Sequence, residues 1–167
     1  MLGDKHFVQV ITLDSAGRRR PAVALAWIKS LAAAIREVDR RTPITVGLVD
    51  WSLDRPGLTS GFVPKEVADE LDFVCVHLYP EAGKVDEALE TLKAFQVGKP
   101  VVIEETFPLK CSPAELRTFL DGAAAHSSGT IGFYWGQTPD ELRAGKSLGE
   151  ALTLQWLELF QRRAAAR

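Results

Sequence analysis

Short apolar runs rich in β-branched residues alternate with longer amphipathic segments along most of the chain. Four such runs, residues 44–49, 72–78, 99–103 and 130–135, are almost continuously hydrophobic. Runs of this kind are typical of strands that are covered on both faces, as in a parallel sheet. They recur roughly every 30 residues, which is the length of one strand–helix–strand unit. The pattern therefore predicts an α/β fold with four βα units and a mostly parallel sheet.

The segments between these runs have the periodicity of helices. In residues 22–39, five apolar residues at helical spacing form one stripe that we expect to face the core: Ala24, Ile28, Leu31, Ile35 and Val38. Further helices are predicted at 65–71, at 84–95, from Ser112 onward and at 147–162. In the last of these, the residues expected to face inward are Leu148, Leu152, Trp156 and Leu159.

The composition is that of one globular domain. The chain has 167 residues, of which 46% are hydrophobic and 25% charged, and we interpret 1–167 as a single domain. We expect residues 1–21 to form an irregular lead-in or, at Phe7–Leu13, an extra strand. The net charge of −2 gives no reason to expect a nucleic-acid partner, and no apolar run is long enough to span a membrane. No signal peptide is recognisable, which leaves the compartment open.

No motif for a metal or cofactor is present. His6, His77 and His126 lack the spacing of metal ligands, and neither a dinucleotide-binding nor a P-loop fingerprint occurs. The two cysteines, Cys75 and Cys111, do not make a disulfide framework. We therefore expect no metal and no cofactor, and we interpret Cys75 as a core residue rather than a nucleophile.

Polar and aromatic residues stand at the carboxyl ends of all four predicted strands. They are Asp50-Trp51, His77 to Pro80, Glu104 to Phe107 and Trp135 to Gln137. In parallel α/β sheets, functional residues collect at this edge. Strand alternation puts His77 and Tyr79 on one face and can add Glu105 and Trp135, although parity alone does not exclude Glu104. Each residue also has a purely structural interpretation, but the set together favours a functional site.

A carboxylate flanked by His, Tyr and Trp is the composition of a site that cleaves sugars. In such a site we expect the carboxylate of Glu105 to attack the anomeric carbon, and Tyr79 and His77 to hydrogen-bond that carboxylate and fix its orientation. The indole of Trp135 offers a flat apolar face to the sugar. Trp51, in the long loop after the first strand, is a second candidate platform, or else it packs the loop on itself.

These residues resemble a known family. The string KPVVIEE at 99–105, preceded by DFVCVHLYP at 72–80 and followed by GFYW at 132–135, is similar to the cellulase-like glycoside hydrolases of clan A, family 5. The similarity covers roughly residues 22–162. It implies a (β/α)8 barrel that cleaves β-linked glycans with retention of configuration.

The resemblance also implies a role for each matching residue. Glu105 corresponds to the nucleophile at the end of strand 7, and His77 and Tyr79 correspond to the pair on strand 6 that flanks it. Trp135 corresponds to the strand-8 platform beneath the sugar. The expected partner is a β-linked oligo- or polysaccharide.

One element of the family's pattern is missing. The general acid is a glutamate in an Asn-Glu pair at the end of strand 4, and this chain contains no Asn. The resemblance therefore implies strands 5 to 8 of a barrel that needs about 200 residues or more, with the first four strands lying before Met1. Such a half-barrel is a gene fragment, a shortened reading frame or a true half-barrel protein. Since Glu104 is expected to point to the other face, we predict little or no activity for the chain alone.

The open edges of the predicted sheet lead to one further expectation, and two alternative functions remain. The open edge strands at 44–49 and 130–135 predict a homodimer or aggregation. The first alternative is a non-catalytic carbohydrate-binding remnant that keeps Trp51, Tyr79 and Trp135. The second is a doubly wound α/β interaction domain, in which Phe7–Leu13 supplies a fifth strand.

Overall fold

The computed structural model describes residues 16–54, 60–132 and 136–165. Six helices and four strands alternate along these residues. The helices are α1 (Arg20–Val38), α2 (Pro64–Val67), α3 (Val85–Lys93), α4 (Pro113–Ala123), α5 (Pro139–Ala144) and α6 (Leu148–Ala165). The strands are β1 (Gly47–Val49), β2 (Val74–His77), β3 (Val101–Glu105) and β4 (Gly129–Thr130).

The four strands form one parallel sheet in the order β1-β2-β3-β4. Each strand lies beside its predecessor, so the sheet grows in one direction. Because parallel crossovers are right-handed, this order places the connecting helices on one face of the sheet. A doubly wound sheet instead reverses direction at a switch point and has helices on both faces. The prediction of four βα units in partial-barrel order is confirmed, and the described sheet contains no such reversal. Phe7–Leu13, which would supply the fifth strand of the doubly wound alternative, lies outside the described residues.

The core lies between the sheet and its helix layer. Val74, Val76 and Ile103 are fully buried or nearly so, and they pack in one cluster with Leu92 of α3 and Phe119 of α4. The predicted alternation of β2 is therefore correct, since Val74 and Val76 face the helices. His77 and Cys75, at the alternate positions, are left on the opposite face.

The two terminal helices are less well covered than the sequence predicts. On α1, Ile28 is buried, but Leu31 and Ile35 are each 43% exposed, so only part of the predicted stripe faces the core. On α6, Leu159 is buried, whereas Leu148 and Leu152 are 76% and 51% exposed. These helices stand at the two ends of the helix layer, beside the edge strands, where no further unit packs against them among the described residues.

Three helices begin at the same kind of local signal. The side chains of Ser112 and Thr138 each accept a hydrogen bond from the backbone N–H three residues further on. The glutamate at that position in turn accepts the backbone N–H of the capping residue, and Ser147 and Glu150 form the same pair of hydrogen bonds. Helix α5, which begins after Thr138, was not predicted from the sequence, although its capping box can be recognised there. Within the described residues, every helix falls short of the length or apolar character that crossing a bilayer requires.

Candidate active site

The site is organised by a shift in register between β2 and β3. Val76 pairs with Ile103, but the next residue, His77, pairs with Glu105, so that Glu104 is an additional residue in β3. An extra residue in one strand turns the side chains that follow it, as in a β-bulge. Glu105 therefore lies beside His77 instead of following Ile103 toward the helices.

His77 contacts both glutamates. Its Nε2 lies 2.9 Å from Oε1 of Glu104, and its Nδ1 lies 3.6 Å from Oε2 of Glu105. All three side chains are about one-quarter exposed. The expectation that Glu104 points to the other face is wrong, because the register shift lets consecutive glutamates reach the same imidazole.

Tyr79 completes the surroundings of Glu105. Its hydroxyl donates a hydrogen bond to Oε1 of Glu105. The tyrosine ring lies edge-on to Phe107, with 5.1 Å between ring centroids, and Phe107 stacks on Trp156 of α6 at 5.0 Å. This aromatic chain anchors Tyr79 to the helix layer. Phe107 belongs to the strand-end group predicted from the sequence, but its stacking on Trp156 is a contact between distant residues that the sequence does not reveal.

The protonation of the site follows from these contacts. Hydrogen bonding to Glu104, together with the charge of Glu105, raises the pKa of His77 against the opposing effect of burial. The same hydrogen bond lowers the pKa of Glu104. Burial and the bond to Glu105 raise the pKa of Tyr79, so the phenol remains a neutral donor.

Cys75 lies behind this cluster and is almost fully buried. Burial, with the neighbouring Glu104, raises the pKa of the Cys75 thiol to about 12. A thiol of that kind is not a nucleophile at neutral pH. The interpretation of Cys75 as a core residue is confirmed by its burial.

A cavity of about 270 Å³ opens in front of the cluster. Besides apolar strand-end residues, its lining includes Asp50, Trp51, His77, Tyr79, Glu105 and Lys110. Trp135 lies outside the described residues. Of the predicted site residues that are described, all four line this one cavity: Trp51, His77, Tyr79 and Glu105.

Trp51 is positioned by a 3-10 turn, Asp50–Leu53, directly after β1. The turn is held from inside by the buried hydroxyl of Ser52, which accepts the backbone N–H of Val49 at 3.2 Å and the hydroxyl of Ser60 at 3.3 Å. This buried pair of serines ties the far end of the loop to the strand end. Trp51 is thereby fixed at the cavity and its side chain is only half-buried.

Lys110 is a cavity residue that sequence reasoning missed. The loops after β2 and β3 meet in an isolated parallel bridge between Glu81 and Lys110, and Lys110 Nζ lies 3.1 Å from Oε1 of Glu81. A contact between residues so far apart in sequence leaves no local pattern. Within the part of the chain that is described, no group of three or more His, Cys, Asp or Glu side chains is arranged to hold a metal ion.

No family profile matches this chain, and no curated protein does. Solved structures give partial matches. The chain is similar in part to a bacterial β-glucuronidase. The enzyme from Ruminococcus gnavus in complex with D-glucuronic acid is 18% identical, with a TM-score of 0.45, over 66% of this chain and 23% of that one. Its apo structure at 1.7 Å is 18% identical, with a TM-score of 0.46, over 67% of this chain and 23% of that one.

The chain thus spans less than a quarter of the length of the enzyme that it matches. The likeness is to a glycoside hydrolase and concerns the backbone alone. At this identity it says nothing of family 5, of the linkage cleaved or of the substrate.

Proposed function

We propose that this chain carries the nucleophile half of a retaining glycoside hydrolase site, with Glu105 as the nucleophile. The proposal is supported chiefly by the contacts of one carboxylate: the Tyr79 hydroxyl donates a hydrogen bond to Oε1 of Glu105, and Nδ1 of His77 lies 3.6 Å from Oε2. The hydrogen bond on one oxygen and the imidazole beside the other favour an orientation of the carboxylate toward the cavity. That is what attack on an anomeric carbon requires of a carboxylate.

The proposed substrate class is a β-linked oligo- or polysaccharide. Trp51 borders the same cavity as Glu105 and would stack on the apolar C–H face of a sugar ring. We keep Trp135 as the second platform, on the sequence resemblance alone. Family 5 membership and retention of configuration likewise remain predictions.

We expect the chain alone to turn over natural glycans poorly. A retaining enzyme needs a general acid with its carboxyl about 5–5.5 Å from the nucleophile. Glu104 does not fit that role, since its hydrogen bond with His77 lowers its pKa and favours the ionised form. Without the acid, the loss is typically 10²–10⁴-fold, and an unactivated sugar leaving group depends on protonation most.

An activated substrate separates the nucleophile from the missing acid. A 2,4-dinitrophenyl glycoside needs no protonation of its leaving group, so the purified chain should release dinitrophenolate from a β-glucoside, β-mannoside or β-glucuronide. The matching 2-deoxy-2-fluoro glycoside should leave a covalent adduct on the peptide containing Glu105, detected by mass spectrometry. Glu105→Gln should abolish both signals, and exposed Glu37→Gln on α1 should change neither. An adduct on another residue, or none with any of these sugars, would refute the nucleophile role.

The non-catalytic alternative is favoured by the aromatic lining of the cavity, which would bind sugar without any chemistry. Calorimetry with cello- and manno-oligosaccharides distinguishes the two functions. Binding that is lost in Trp51→Ala, together with no adduct from the fluorinated glycosides, would favour a binding remnant.

A second copy of the chain is the partner that we propose for the open edges. The strands β1 and β4 each have one unpaired edge within the described sheet, and exposed Ile35 and Leu152 stand on the helices beside them. The β4 edge of each copy placed against the β1 edge of the other would close a ring of eight parallel strands. Light scattering that finds only monomer at high concentration would refute the dimer.

A further inference from the structure

The proposed nucleophile and the glutamate before it share one imidazole. Glu104 accepts from Nε2 of His77 at 2.9 Å, while Nδ1 of the same ring faces Glu105 at 3.6 Å. Glu105 lines the cavity, whereas Glu104 is not among the described side chains that line it. The two carboxylates therefore act on His77 from different sides, and only one of them faces the space available for substrate.

We propose that Glu104 is a positioning residue: it binds the Nε2–H of His77 and thereby keeps Nδ1 protonated and directed at Glu105. This inference rests on the proposed function only for its consequence in catalysis. The arrangement of the three side chains stands whether or not Glu105 is a nucleophile.

The contacts of the two ring nitrogens indicate the protonation state of His77. A hydrogen bond to Glu104 places a proton on Nε2, so a neutral ring would present the bare lone pair of Nδ1 to the carboxylate of Glu105. That contact is repulsive, and a proton on Nδ1 turns it into an attraction between imidazolium and carboxylate. The doubly protonated ring, between two carboxylates, satisfies both sides at once.

Other groups around His77 do not supply the same effect. Cys75, on β2, is bonded to Glu104, and Tyr79, two residues after His77, is bonded to Glu105; both stay neutral. Asp50, after β1, lines the same cavity and adds negative charge on that side. Lys110, after β3, also lines the cavity, but its ammonium is paired with Glu81. Within the described residues, Glu104 is the carboxylate bonded to Nε2.

The orientation matters for the proposed reaction. A nucleophilic carboxylate must present one oxygen to the sugar while the other is restrained, and Tyr79 restrains one oxygen by itself. With Nδ1 protonated, the second oxygen is also restrained. Removing the charge of Glu104 should therefore affect the rate of glycosyl-enzyme formation more than the affinity for substrate.

The decisive experiment is an NMR titration of the His77 ring in the full chain, read by the ¹⁵N shifts of Nδ1 and Nε2. We expect the midpoint of His77 to shift downward in Glu104→Gln and to return toward the wild-type value in Glu104→Asp, which keeps the carboxylate. Glu37→Gln, an equal change of charge on the exposed face of α1, should leave it in place. An unchanged or higher midpoint in Glu104→Gln would overturn the proposal.

A second measurement needs no variant, in case Glu104→Gln does not fold. In the wild-type chain, the ¹³C shift of the Glu104 carboxyl should already be that of a carboxylate at pH 4.5, the ordinary pKa of a glutamate, and should remain so up to the titration of His77. A Glu104 carboxyl that is still mainly protonated above pH 4.5 would overturn the proposal. Since neither reading involves turnover, failure of the nucleophile assignment and failure of this inference are distinguishable: the first removes the Glu105 adduct, and the second leaves the His77 midpoint unmoved.

Discussion

The centre of the sheet and its two flanks are built differently. At the centre, β2 and β3 carry side chains such as Val76 and Ile103 that are completely enclosed between the sheet and the helices. At the flanks, α1 and α6 leave Leu31, Ile35 and Leu152 exposed to 43–51% although their spacing is that of an inward-facing stripe. The same kind of amphipathic segment is thus buried in one place and uncovered in the other.

An amphipathic pattern thus shows which face of a helix is apolar, but it does not show whether another element packs against that face. A βα unit in a growing sheet is covered by the unit on each side of it, so the first and last units lack one neighbour. The candidate site lies at the carboxyl end of the well-covered centre. Stability should therefore depend strongly on central residues and weakly on flanking ones.

The largest contrast is expected between two truncations to alanine. Phe119→Ala at the centre should lower the free energy of unfolding by about 3–5 kcal/mol, because it opens a cavity where the side chain is fully buried. Leu152→Ala on α6 should cost no more than about 0.5 kcal/mol, because half of that side chain is already in water. Urea unfolding measures both. Equal losses would contradict the distinction between centre and flank.

A stabilising change is expected next to the site. The hydroxyl of Thr106, which follows Glu105, is fully buried and has no hydrogen-bond partner among the described residues. Thr106→Val removes this unpaired group at nearly constant volume and should raise the free energy of unfolding by about 1 kcal/mol. Thr118→Val is the matched control, because Thr118 lies on the exposed face of α4 and its hydroxyl donates to a backbone carbonyl at 3.1 Å. This substitution should not raise the free energy of unfolding. A loss of stability in Thr106→Val would mean that the hydroxyl is bonded after all.

A smaller effect is expected from pH. The pKa of His77 is raised above its ordinary value of 6.5, mainly by its hydrogen bond to Glu104, so the folded state binds the proton more tightly than the unfolded chain. Its contribution to stability is complete below pH 6.5 and is lost as pH rises through the folded-state pKa. Thermal unfolding across this range should show the decline in wild type, and His77→Gln should flatten it. A slope that persists in His77→Gln would assign the effect to another group.

The smallest effect on stability, paired with an effect on association, is expected at the flanks. Ile35→Lys and Leu152→Lys place charge on side chains that are already half exposed, so each should change the free energy of unfolding by at most about 0.5 kcal/mol. If the flanks join two copies, these variants should move light-scattering mass toward the monomer. Glu37→Gln, also on α1, changes the net charge by the same amount at an exposed position and controls for charge alone.

Much of the fold could be predicted from the sequence, because strands and helices produce local patterns of apolar residues. Apolar runs predicted the four strands, and the alternation in β2 correctly separated Val76 from His77. The extent of cover on α1 was not legible, since it depends on what packs against the helix rather than on its own residues. Lys110 lies in the site because its loop pairs with the loop of Glu81. A contact between loops that are distant in sequence could not be predicted from residue spacing.

The placement of Glu104 failed for a different reason. Strict alternation sends consecutive residues of a strand to opposite faces, and this rule predicted that only one of the two glutamates reaches His77. The shift in register between Val76 and His77 suspends the rule for a single position. The run of apolar residues before Glu104 contains no feature that predicts such a shift in register.

That one additional residue in β3 also constrains how the chain can vary. Deleting the single position between Ile103 and Glu105 would restore regular pairing and leave one glutamate beside His77 instead of two, whereas substitutions there only alter chemistry. Lengthening or shortening the strand at this point should therefore be tolerated far less than changes of residue type, and the spacing from Pro100 to Glu105 becomes as much a part of the site as the glutamates themselves.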